Sequence, residues 1–416
     1  MKYSAPRGTK DILPDEVPLW QFLENTCRQV FELYGYREIR TPIFEVAELF
    51  SRSIGDTTDI VKKEMYTFAD RKGRSLTLRP EETAPVVRAC LENNLILSDQ
   101  LVKLYYLGPM FRYERPQAGR QRQFHQAGVE AFGSDDPMLD AEIIQLSIKL
   151  FDKVGLKDLE VEINSVGCRK CKPNYREAVK KYFGEHVQNM CEDCKTRIEL
   201  NPLRILDCKE AHCQKFIAQA PAAVDYLCSD CKDHFEKVTK ALEGLSVRYR
   251  VNDRLVRGLD YYTKTTFEVV SKQLGAQNAI CGGGRYDYLV EELGGKPTPA
   301  VGFALGLERV VEVMKELKIA KGEKKGLDLF MAPLGEKAKD QVFLLLARLR
   351  EKGISADMDY SKKSLRAQLK AADRLGASFA YIVGEVELEK GKGILRNMKT
   401  GEQNEIAFEE LEEVIK

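Results

Sequence analysis

Residues 104–132, LYYLGPMFRYERPQAGRQRQFHQAGVEAF, carry the pattern that decides the fold. They predict two strands joined by a charged loop. Alternation along the second strand places the even-numbered residues from Phe124 to Glu130 on one face. The odd-numbered residues from His125 to Ala131 then lie on the other face, because successive side chains of a strand point to opposite sides. The sequence therefore predicts a hairpin with one apolar and one polar face.

The polar face carries Gln126, Gly128 and Glu130. Burying such polar groups unpaired costs about 1–3 kcal/mol each, so a strand buried only for packing would not carry them together. The face is better suited to a polar small molecule. The loop supplies arginines, whose guanidinium forks match phosphate oxygens, at Arg112, Arg115, Arg120 and Arg122.

Length and composition indicate an ordinary water-soluble protein. The chain has 416 residues, of which 44% are hydrophobic and 31% charged, and this length predicts two or three domains. No apolar run approaches the roughly 18 residues of a membrane span, and residues 1–4 do not resemble a signal peptide. We therefore expect a cytoplasmic protein without a membrane segment. Lys plus Arg (65) nearly balances Asp plus Glu (64), so any nucleic-acid contact must come from local patches.

Two changes in composition divide the chain. Residues from about 167 to 245 are rich in Cys, Lys and Glu, with helical periodicity, and are predicted to form an insertion in a sheet domain. Residues 321–326 have a linker's composition. From residue 327 onward, strands alternate with helices, which predicts a small α/β domain with a largely parallel sheet.

Four other segments contain chemistry similar to that of the hairpin: 79–83 (RPEET), 257–262 (RGLDYY), 281–287 (CGGGRYD) and 302–309 (GFALGLER). Each also has a purely structural interpretation. The first resembles a capped helix start, the second a hairpin turn with packing tyrosines, and the third a flexible glycine turn. Arg309 in the fourth could be an ordinary surface charge.

Taken together, the segments predict a site with arginines for phosphate, carboxylates for a cation and a phenylalanine that covers a flat base. Neither a G-x-x-x-x-G-K-[ST] loop nor a G-x-G-x-x-G turn is present in the sequence. We therefore expect a nucleotide to bind on the face of a sheet.

Eight of the eleven cysteines lie between residues 168 and 231. The spacing C-x2-C-x19-C-x2-C of the first four is typical of a zinc site. The eight thiolates could bind two Zn²⁺ ions, or four could bind one ion with His212 as a substitute ligand; reduced buried thiols are the alternative. The eight are Cys168, Cys171, Cys191, Cys194, Cys208, Cys213, Cys228 and Cys231.

Over essentially its whole length the sequence resembles the histidyl-tRNA synthetase family of class II aminoacyl-tRNA synthetases. The helix from Leu19 and the strand ending at Pro42 resemble the first class II motif, which builds the dimer interface. Residues 111–124 resemble the second motif and residues 306–309 the third. Residues 7–11 (RGTKD) also fit. The runs LVRGLDYY (255–262) and GRYD (284–287) are more specific, because they are peculiar to the histidine enzyme and its close paralogue.

The resemblance implies a fold and a set of partners. It implies an α+β catalytic domain on an antiparallel sheet over residues 1–322, including the helical Cys-rich insertion, and an α/β anticodon-binding domain over 327–416. The expected reaction joins L-histidine to tRNA(His) through histidyl-adenylate, with ATP and Mg²⁺, in a homodimer. Because many relatives lack these cysteines, any zinc would be structural.

The same resemblance implies residue roles. Arg112 and Arg257 are the expected catalytic residues, on the α-phosphate and the histidine carboxylate. ATP would be bound by Arg112, Glu114, Phe124 and Arg309. Histidine would be bound by Glu81, Thr83, Gln126, Glu130, Tyr261, Tyr262 and Tyr286. Arg115 and Gln117 would meet the acceptor end of the tRNA.

Two alternative functions remain open. One is the synthetase-like regulatory paralogue of histidine biosynthesis, which does not charge tRNA and typically lacks residues equivalent to 327–416. The other is a zinc-ribbon nucleic-acid-binding protein, which leaves the nucleotide-like site unexplained. A basic stripe in the last domain is either a tRNA-binding face or a solvated helix face; it comprises Lys362, Lys363, Arg366, Lys370 and Arg374.

Overall fold

The computed structural model describes residues 3–55, 58–96, 100–115, 120–271, 279–319 and 326–415. The chain divides into two compact units, Met1–Gly322 and Glu323–Lys416. Among the described residues, none of the helices combines the length and the apolar character that crossing a membrane requires.

A large sheet forms the centre of the first unit. Its described strands, in spatial order, are β1 (Arg37–Glu38), β5 (Val102–Phe111), β6 (Gln123–Phe132), β11 (Ala300–Gly306), β10 (Ala279–Arg285), β9 (Thr263–Ser271), β7 (Leu159–Ser165) and β8 (Tyr249–Val251). Neighbours pair antiparallel except at the two ends, where β1 runs parallel to β5 and β8 parallel to β7. The predicted antiparallel catalytic sheet is confirmed.

The hairpin β5–β6 has the two predicted faces. Leu104 lies opposite Glu130 in the register of the pair, and Ala127, Val129 and Ala131 are fully buried. Their face is covered by the helices α1 (Val17–Leu33), α4 (Pro137–Val154), α8 (Ser229–Gly244) and α10 (Leu307–Glu316). The opposite face is left to the polar residues.

The glycine run at 282–284 lies inside the central strand β10, so its interpretation as a flexible turn is wrong. The mistake has a physical reason. Glycine weakens a strand in isolation, whereas here the strand is paired on both sides and glycines leave room for neighbouring groups.

A smaller sheet precedes the hairpin. It consists of β2 (Phe44–Val46), β4 (Ser75–Leu78) and β3 (Tyr66–Ala69), with α2 (Ala47–Ile54) and α3 (Thr83–Glu92) beside it. The buried Arg79 fixes the turn into α3, because its Nε donates to the carbonyl oxygen of Pro109 at 2.9 Å and its Nη1 donates to Glu82 Oε1 at 2.9 Å. This turn is thereby attached to β5, and it places the start of α3 beside the large sheet.

A buried ionic network connects three elements of the first unit. Arg285 in β10 is completely buried and donates from Nε to Asp140 Oδ1 of α4 at 3.0 Å. Asp140 Oδ2 also lies 2.8 Å from His234 Nε2 of α8. Although burial raises the pKa of Asp140, the charges and hydrogen bonds of Arg285 and His234 outweigh it and leave the pKa below its ordinary value. The network fixes the end of β10, next to Tyr286.

The segment between β7 and β8 is helical, as predicted for the insertion. Its helices are α5 (Lys172–His186), α6 (Glu192–Leu200), α7 (Ala211–Ile217) and α8, joined by short turns. Helices α5, α6 and α7 and the turns between them enclose a separate apolar core that includes Tyr175, Phe183 and Ile205, whereas α8 packs in the main core.

The second unit is an α/β domain, as predicted. Its sheet order is β13 (Ala356–Met358), β12 (Leu329–Pro333), β14 (Phe379–Val383), β15 (Lys392–Asn397) and β16 (Gln403–Ala407). Its helices are α11 (Glu336–Glu351), α12 (Leu365–Arg374), α13 (Glu385–Glu389) and α14 (Leu411–Ile415). The first three strands are parallel, but β15 and β16 are antiparallel, so the sheet is less parallel than predicted.

Candidate active site

Two adjoining cavities follow the polar face of β6. The inner cavity has a volume of about 120 Å³ and ends at Glu130. The outer cavity has a volume of about 210 Å³ and contains Phe124. Arg112, Gln126 and Arg257 line both cavities and mark the boundary between them. The inner cavity is small and polar enough to suit a small polar molecule. The adjoining outer cavity leaves room for a larger group attached to that molecule.

Glu130 lies at the closed end of the inner cavity and is 1% exposed. The Thr83 hydroxyl donates to its Oε1 at 2.7 Å, and the Tyr286 hydroxyl donates to its Oε2. On β11 the residue opposite is Gly302, where a Cβ atom would overlap the Glu130 carboxylate. A carboxylate with one open side is therefore available to a donor group in the cavity.

Tyr261 and Tyr262 form a wall of the inner cavity, and both are buried. Their rings lie 4.8 Å apart, and the Tyr261 ring meets Tyr286 edge-on at 5.6 Å. Tyr106, which the sequence interpretation did not single out, also lines this cavity. The two tyrosines fit both interpretations, packing and site, because the same rings pack against one another and enclose the cavity.

Glu81, just before the start of α3, both caps that helix and lines the inner cavity. Its carboxylate accepts hydrogen bonds from the backbone nitrogens of Thr83 at 2.8 Å and Ala84 at 3.0 Å. The segment is therefore a capped helix start, as predicted, although Glu81 and Glu82 precede the helix and do not lie in its first turn. The same side chain also lines the inner cavity, so capping fixes its orientation toward the site.

Two buried polar atoms of the site lack partners. Among the described residues, Gln126 Oε1 and Arg257 Nε have no hydrogen-bond partner. Leaving such groups unpaired costs about 1–3 kcal/mol each, and bound ligands commonly remove that cost. One atom is an acceptor and the other a donor, so the expected ligand carries both a donor and an acceptor at the boundary between the cavities.

Arg257 lies against Glu268 of β9, with which it forms an ion pair. A Cβ atom at Gly282 would lie 2.5 Å from the Arg257 guanidinium carbon, so the glycine run makes the space for this side chain. Burial opposes the charge, but the Glu268 carboxylate raises the pKa of Arg257 above its ordinary value. Arg257 thus stays charged. The sequence interpretation missed Glu268, although a carboxylate between Phe267 and Val269 was a usable signal.

The outer cavity is dominated by cations. Phe124, Arg112 and Arg309 line it together with Glu114 and Arg120. The Arg112 guanidinium lies 5.3 Å from the centre of the Phe124 ring, and its Nε donates to the Pro80 carbonyl at 2.8 Å. Burial, followed by the charge of Arg120, lowers the pKa of Arg309. Such crowded positive charges are relieved by an anion.

Glu308 holds β6 and α10 together and was also missed as a functional residue. Its carboxylate accepts the backbone N–H of His125 at 2.9 Å and lies 2.9 Å from His125 Nδ1. Since Phe124 precedes His125 and Arg309 follows Glu308, this contact brings the aromatic ring and the arginine to one cavity. Arg309 is therefore a site residue by position, and its interpretation as a surface charge is wrong.

Arg115 and the eight clustered cysteines lie outside the two cavities. Arg115 is exposed and lines neither cavity, and Gln117 falls outside the described residues. The eight cysteines form two groups: Cys168, Cys171, Cys228 and Cys231, and Cys191, Cys194, Cys208 and Cys213. The first four cysteines in sequence therefore do not share one site, which corrects the interpretation of their spacing. His212 belongs to neither group.

The antiparallel sheet, with arginines and carboxylates along one face and an α/β domain after it, is the fold of a class II aminoacyl-tRNA synthetase. A family model described as histidyl-tRNA synthetase matches residues 8–310, and one described as anticodon binding domain matches 328–416. The chain belongs to the histidyl-tRNA synthetase family.

Individual relatives agree over the full length. The histidine–tRNA ligase of Pelotomaculum thermopropionicum is 55% identical, over 98% of this chain and 96% of that protein. That of Caldanaerobacter subterraneus is 51% identical over 100% of both chains. The crystal structure of apo S. aureus histidyl-tRNA synthetase superposes with a TM-score of 0.83 at 39% identity, covering 99% of each chain.

Burial dominates the acid–base behaviour of Glu130. Burial raises its pKa to about 8, with a further increase from the nearby Glu81 and Glu82, against the hydrogen bonds from Tyr286 and Thr83. An unfolded chain loses this proton near the ordinary value of 4.5. Between these pH values the folded state binds more protons than the unfolded state, so this carboxyl makes the protein less stable as pH rises.

We predict that Glu130→Gln removes this dependence, because an amide does not titrate. The difference in thermal midpoint, variant minus wild type, should rise from about pH 5 to about pH 9, measured by differential scanning calorimetry without substrates. Glu48→Gln is the control, since Glu48 is exposed and paired with Arg52. A difference that stays constant with pH would contradict the raised pKa of Glu130.

Proposed function

We propose that this chain activates L-histidine with ATP and transfers the histidyl group to the 3′ end of tRNA(His). The observation that carries the proposal is the pair of adjoining cavities, one acidic and one lined by arginines, with Arg257 at their boundary. In the first step a histidine carboxylate oxygen bonds to the α-phosphorus of ATP and pyrophosphate leaves. In the second, a terminal ribose hydroxyl of the tRNA attacks the histidyl carbonyl and AMP leaves.

The inner cavity takes the amino acid in this proposal. Glu130 accepts the imidazole N–H, and Tyr286 and Thr83 hold its carboxylate in place. Tyr261 and Tyr262 enclose the ring. Glu81 and Gln126, with Thr83, face the α-ammonium group. A buried carboxylate left without its donor is costly, which discriminates against side chains that lack a ring N–H.

The outer cavity takes ATP. Phe124 and Arg309 lie on either side of the adenine, and Arg112 neutralises the α-phosphate as charge develops there. Mg²⁺ accompanies ATP and, when bound, offsets the charge of the departing pyrophosphate; the carboxylates of Glu114 and Glu268 line this cavity and offer the oxygen ligands that Mg²⁺ prefers.

The first step needs no general base, because a carboxylate is already a competent nucleophile. Catalysis then rests on position and on charge stabilisation. Arg257 contributes both: it holds the histidine carboxylate near the boundary of the cavities, and its permanent charge faces the bond that forms. Its ion pair with Glu268 orients the guanidinium before substrate enters.

The regulatory alternative is disfavoured by two observations. Residues 328–416 match the anticodon-binding family model, which that alternative leaves without a use. The curated ligases also match at 51–55% identity over essentially the whole chain. The zinc-ribbon alternative does not account for the two cavities.

Two surfaces are proposed to contact the tRNA. Arg115 is exposed beyond the hairpin strand β5 and, with Gln117, is proposed to meet the acceptor end. In the second unit, the basic stripe on and before α12 is exposed at all five positions, which supports a phosphate-binding face. The stripe consists of Lys362, Lys363, Arg366, Lys370 and Arg374.

We also propose that the protein is a homodimer. Phe44, Val46 and Phe68 are 54%, 52% and 45% exposed. Their register across β4 places them on one face of the small sheet, since Val46 and Phe68 both lie opposite Leu76. An exposed apolar face of this kind is typical of a subunit contact.

A cytoplasmic location is proposed as well. None of the eleven cysteines, all of them in the described part of the chain, forms a disulfide, although eight lie in two close groups. Such an arrangement fits a reducing compartment.

The overall function is tested by pyrophosphate exchange with purified protein. ATP should exchange label with pyrophosphate in the presence of histidine, and rates with other amino acids should be lower by about 10⁴-fold, because no other side chain of this size donates a ring N–H to Glu130. Equal exchange with several amino acids, or none with histidine, would rule out the proposal.

Arg257→Ala should lower histidine-dependent exchange by about 10²–10³-fold, since a charge that stabilises the transition state is lost. The circular dichroism spectrum should stay that of the wild type. Arg248→Ala is the matched control, because Arg248 is exposed and lies on the same stretch of chain. Exchange at the wild-type rate in Arg257→Ala would refute the assigned role.

Glu130→Ala should raise the KM for histidine by about 10- to 100-fold, because the hydrogen bond from the ring N–H is lost. The KM for ATP should change little, since Glu130 does not line the outer cavity. Glu236→Ala, an exposed position on α8, serves as the control. An unchanged histidine KM would count against recognition of the imidazole by Glu130.

A further inference from the structure

The helical insertion holds two clusters of cysteines that the proposed reaction does not use. The outer cluster consists of Cys168, Cys171, Cys228 and Cys231. The inner cluster consists of Cys191, Cys194, Cys208 and Cys213. In each cluster all four Sγ atoms lie within 4.8 Å of one another. The clusters are nested in sequence, because the whole inner cluster falls between the two halves of the outer one.

The sulfur–sulfur distances within the clusters match those of a tetrahedral metal site. Cys168 Sγ lies 3.8 Å from Cys171 Sγ and 3.8 Å from Cys228 Sγ, and Cys171 Sγ lies 3.8 Å from Cys231 Sγ. In the inner cluster, Cys191 Sγ lies 3.7 Å from Cys208 Sγ. A disulfide would require about 2.05 Å. A regular tetrahedron of sulfurs around Zn²⁺, with Zn–S of about 2.3 Å, has edges of about 3.8 Å.

Backbone amides also point at the sulfurs. The N–H of Cys168 donates to Cys171 Sγ at 3.2 Å, and the N–H of Cys191 donates to Cys213 Sγ at 3.3 Å. Hydrogen bonds of this kind stabilise thiolates rather than thiols and orient metal ligands.

Burial makes a counter-charge necessary wherever these sulfurs are ionised. Three sulfurs of each cluster belong to buried residues, so four free thiolates would repel one another without a counter-charge. Four soft thiolates in tetrahedral positions, with no carboxylate or imidazole among them, select zinc over the hard cations. With all four positions taken by protein, no site is left open for water or substrate.

We propose that each cluster binds one Zn²⁺ through four cysteine thiolates, so that the chain carries two structural zinc ions. Both ions lie in the insertion, outside the two cavities of the candidate active site. The proposal does not depend on the function proposed above.

The outer zinc site is coupled to the loop of residues 257–262. Lys172 follows the ligand Cys171 directly, and its Nζ donates to the carbonyl oxygens of Asp260 at 3.3 Å and Tyr262 at 3.2 Å. Fixing Cys171 on the metal therefore fixes the lysine that holds this loop. Lys172 is a positioning residue, since it acts on the tyrosine wall through the backbone.

The inner zinc site is coupled to the same loop from the other side. Between its ligands Cys194 and Cys208, Asn201 donates to Asp260 Oδ1 at 2.9 Å, and Arg204 donates to the Gly258 carbonyl at 2.7 Å. Loss of either metal should therefore disturb the amino-acid cavity more than the ATP cavity.

Metal content decides the proposal. The full chain, purified anaerobically without added metal or a polyhistidine tag, is analysed by inductively coupled plasma mass spectrometry. We expect two zinc ions per chain. The double variants Cys168→Ser/Cys171→Ser and Cys191→Ser/Cys194→Ser should each retain one. Cys27→Ala, a buried cysteine of the main core, is the control and should retain two.

Two outcomes would overturn the proposal: eight titratable thiols without metal, or disulfides in the anaerobic protein. If the wild type holds only one zinc, the cluster whose double variant still holds one zinc does not bind metal, and the proposal is overturned for that cluster. If a variant does not fold, the wild type with Co²⁺ in place of zinc is measured instead. Absence of the visible bands of tetrahedral cobalt–thiolate would equally overturn the proposal.

Coupling to the loop has its own readout. Partial removal of zinc by a chelator should raise the KM for histidine about 10-fold or more, because displacement of the tyrosine wall misplaces the amino acid. The KM for ATP should change much less, and added Zn²⁺ should restore the original value. Equal increases in both constants would refute the coupling of the zinc sites to the amino-acid cavity.

Discussion

Burial of the Glu130 carboxyl group on the open face of the sheet is the constraint on which the site depends. A carboxylate in a low-dielectric place needs donors, and here Thr83 and Tyr286 supply them. These two donors come from α3 and from the end of β10, so the capped turn at Glu81 and the network around Arg285 are needed to deliver them. The large sheet, the small sheet with α3, and α4 thus together position the hydrogen-bond donors of one acidic group.

The parts that could be predicted from sequence are those in which local chemistry decides. The two faces of β6 follow from a period of two, and the cost of burying Gln126 and Glu130 unpaired marks one face as a site. The pairs Arg257–Glu268 and His125–Glu308 could not be predicted. Their members are 11 and 183 positions apart, respectively, and meet only in the folded chain. The glycine run was wrongly interpreted as a turn for a related reason. Arg257 and the two neighbouring strands, which occupy the space that side chains would fill, meet the run only in the folded chain.

The cysteines show the same limit more sharply. Spacing correctly indicated that the cysteines lie in local pairs, since each pair is closed by a local turn, but it could not indicate which pairs join. The nested arrangement depends on how α5 and α8 bring Cys171 and Cys231 together across 60 positions. In the second unit, β15 and β16 were not predicted because Lys392–Asn397 and Gln403–Ala407 are largely polar, and pairing in sequence order after β14 stabilises them as strands.

The loop of residues 257–262 contains neither helix nor strand, and side chains of the insertion hold its carbonyl groups. The position of this loop therefore depends on the insertion as well as on the sheet domain, in whose core Tyr261 and Tyr262 are buried. Proteins open locally in cooperative units with separate free energies. We expect an opening of α5, α6 and α7 alone to release the carbonyl groups of this loop while the sheet and the outer cavity remain folded. Heat would then impair selection of the amino acid before the whole unit melts.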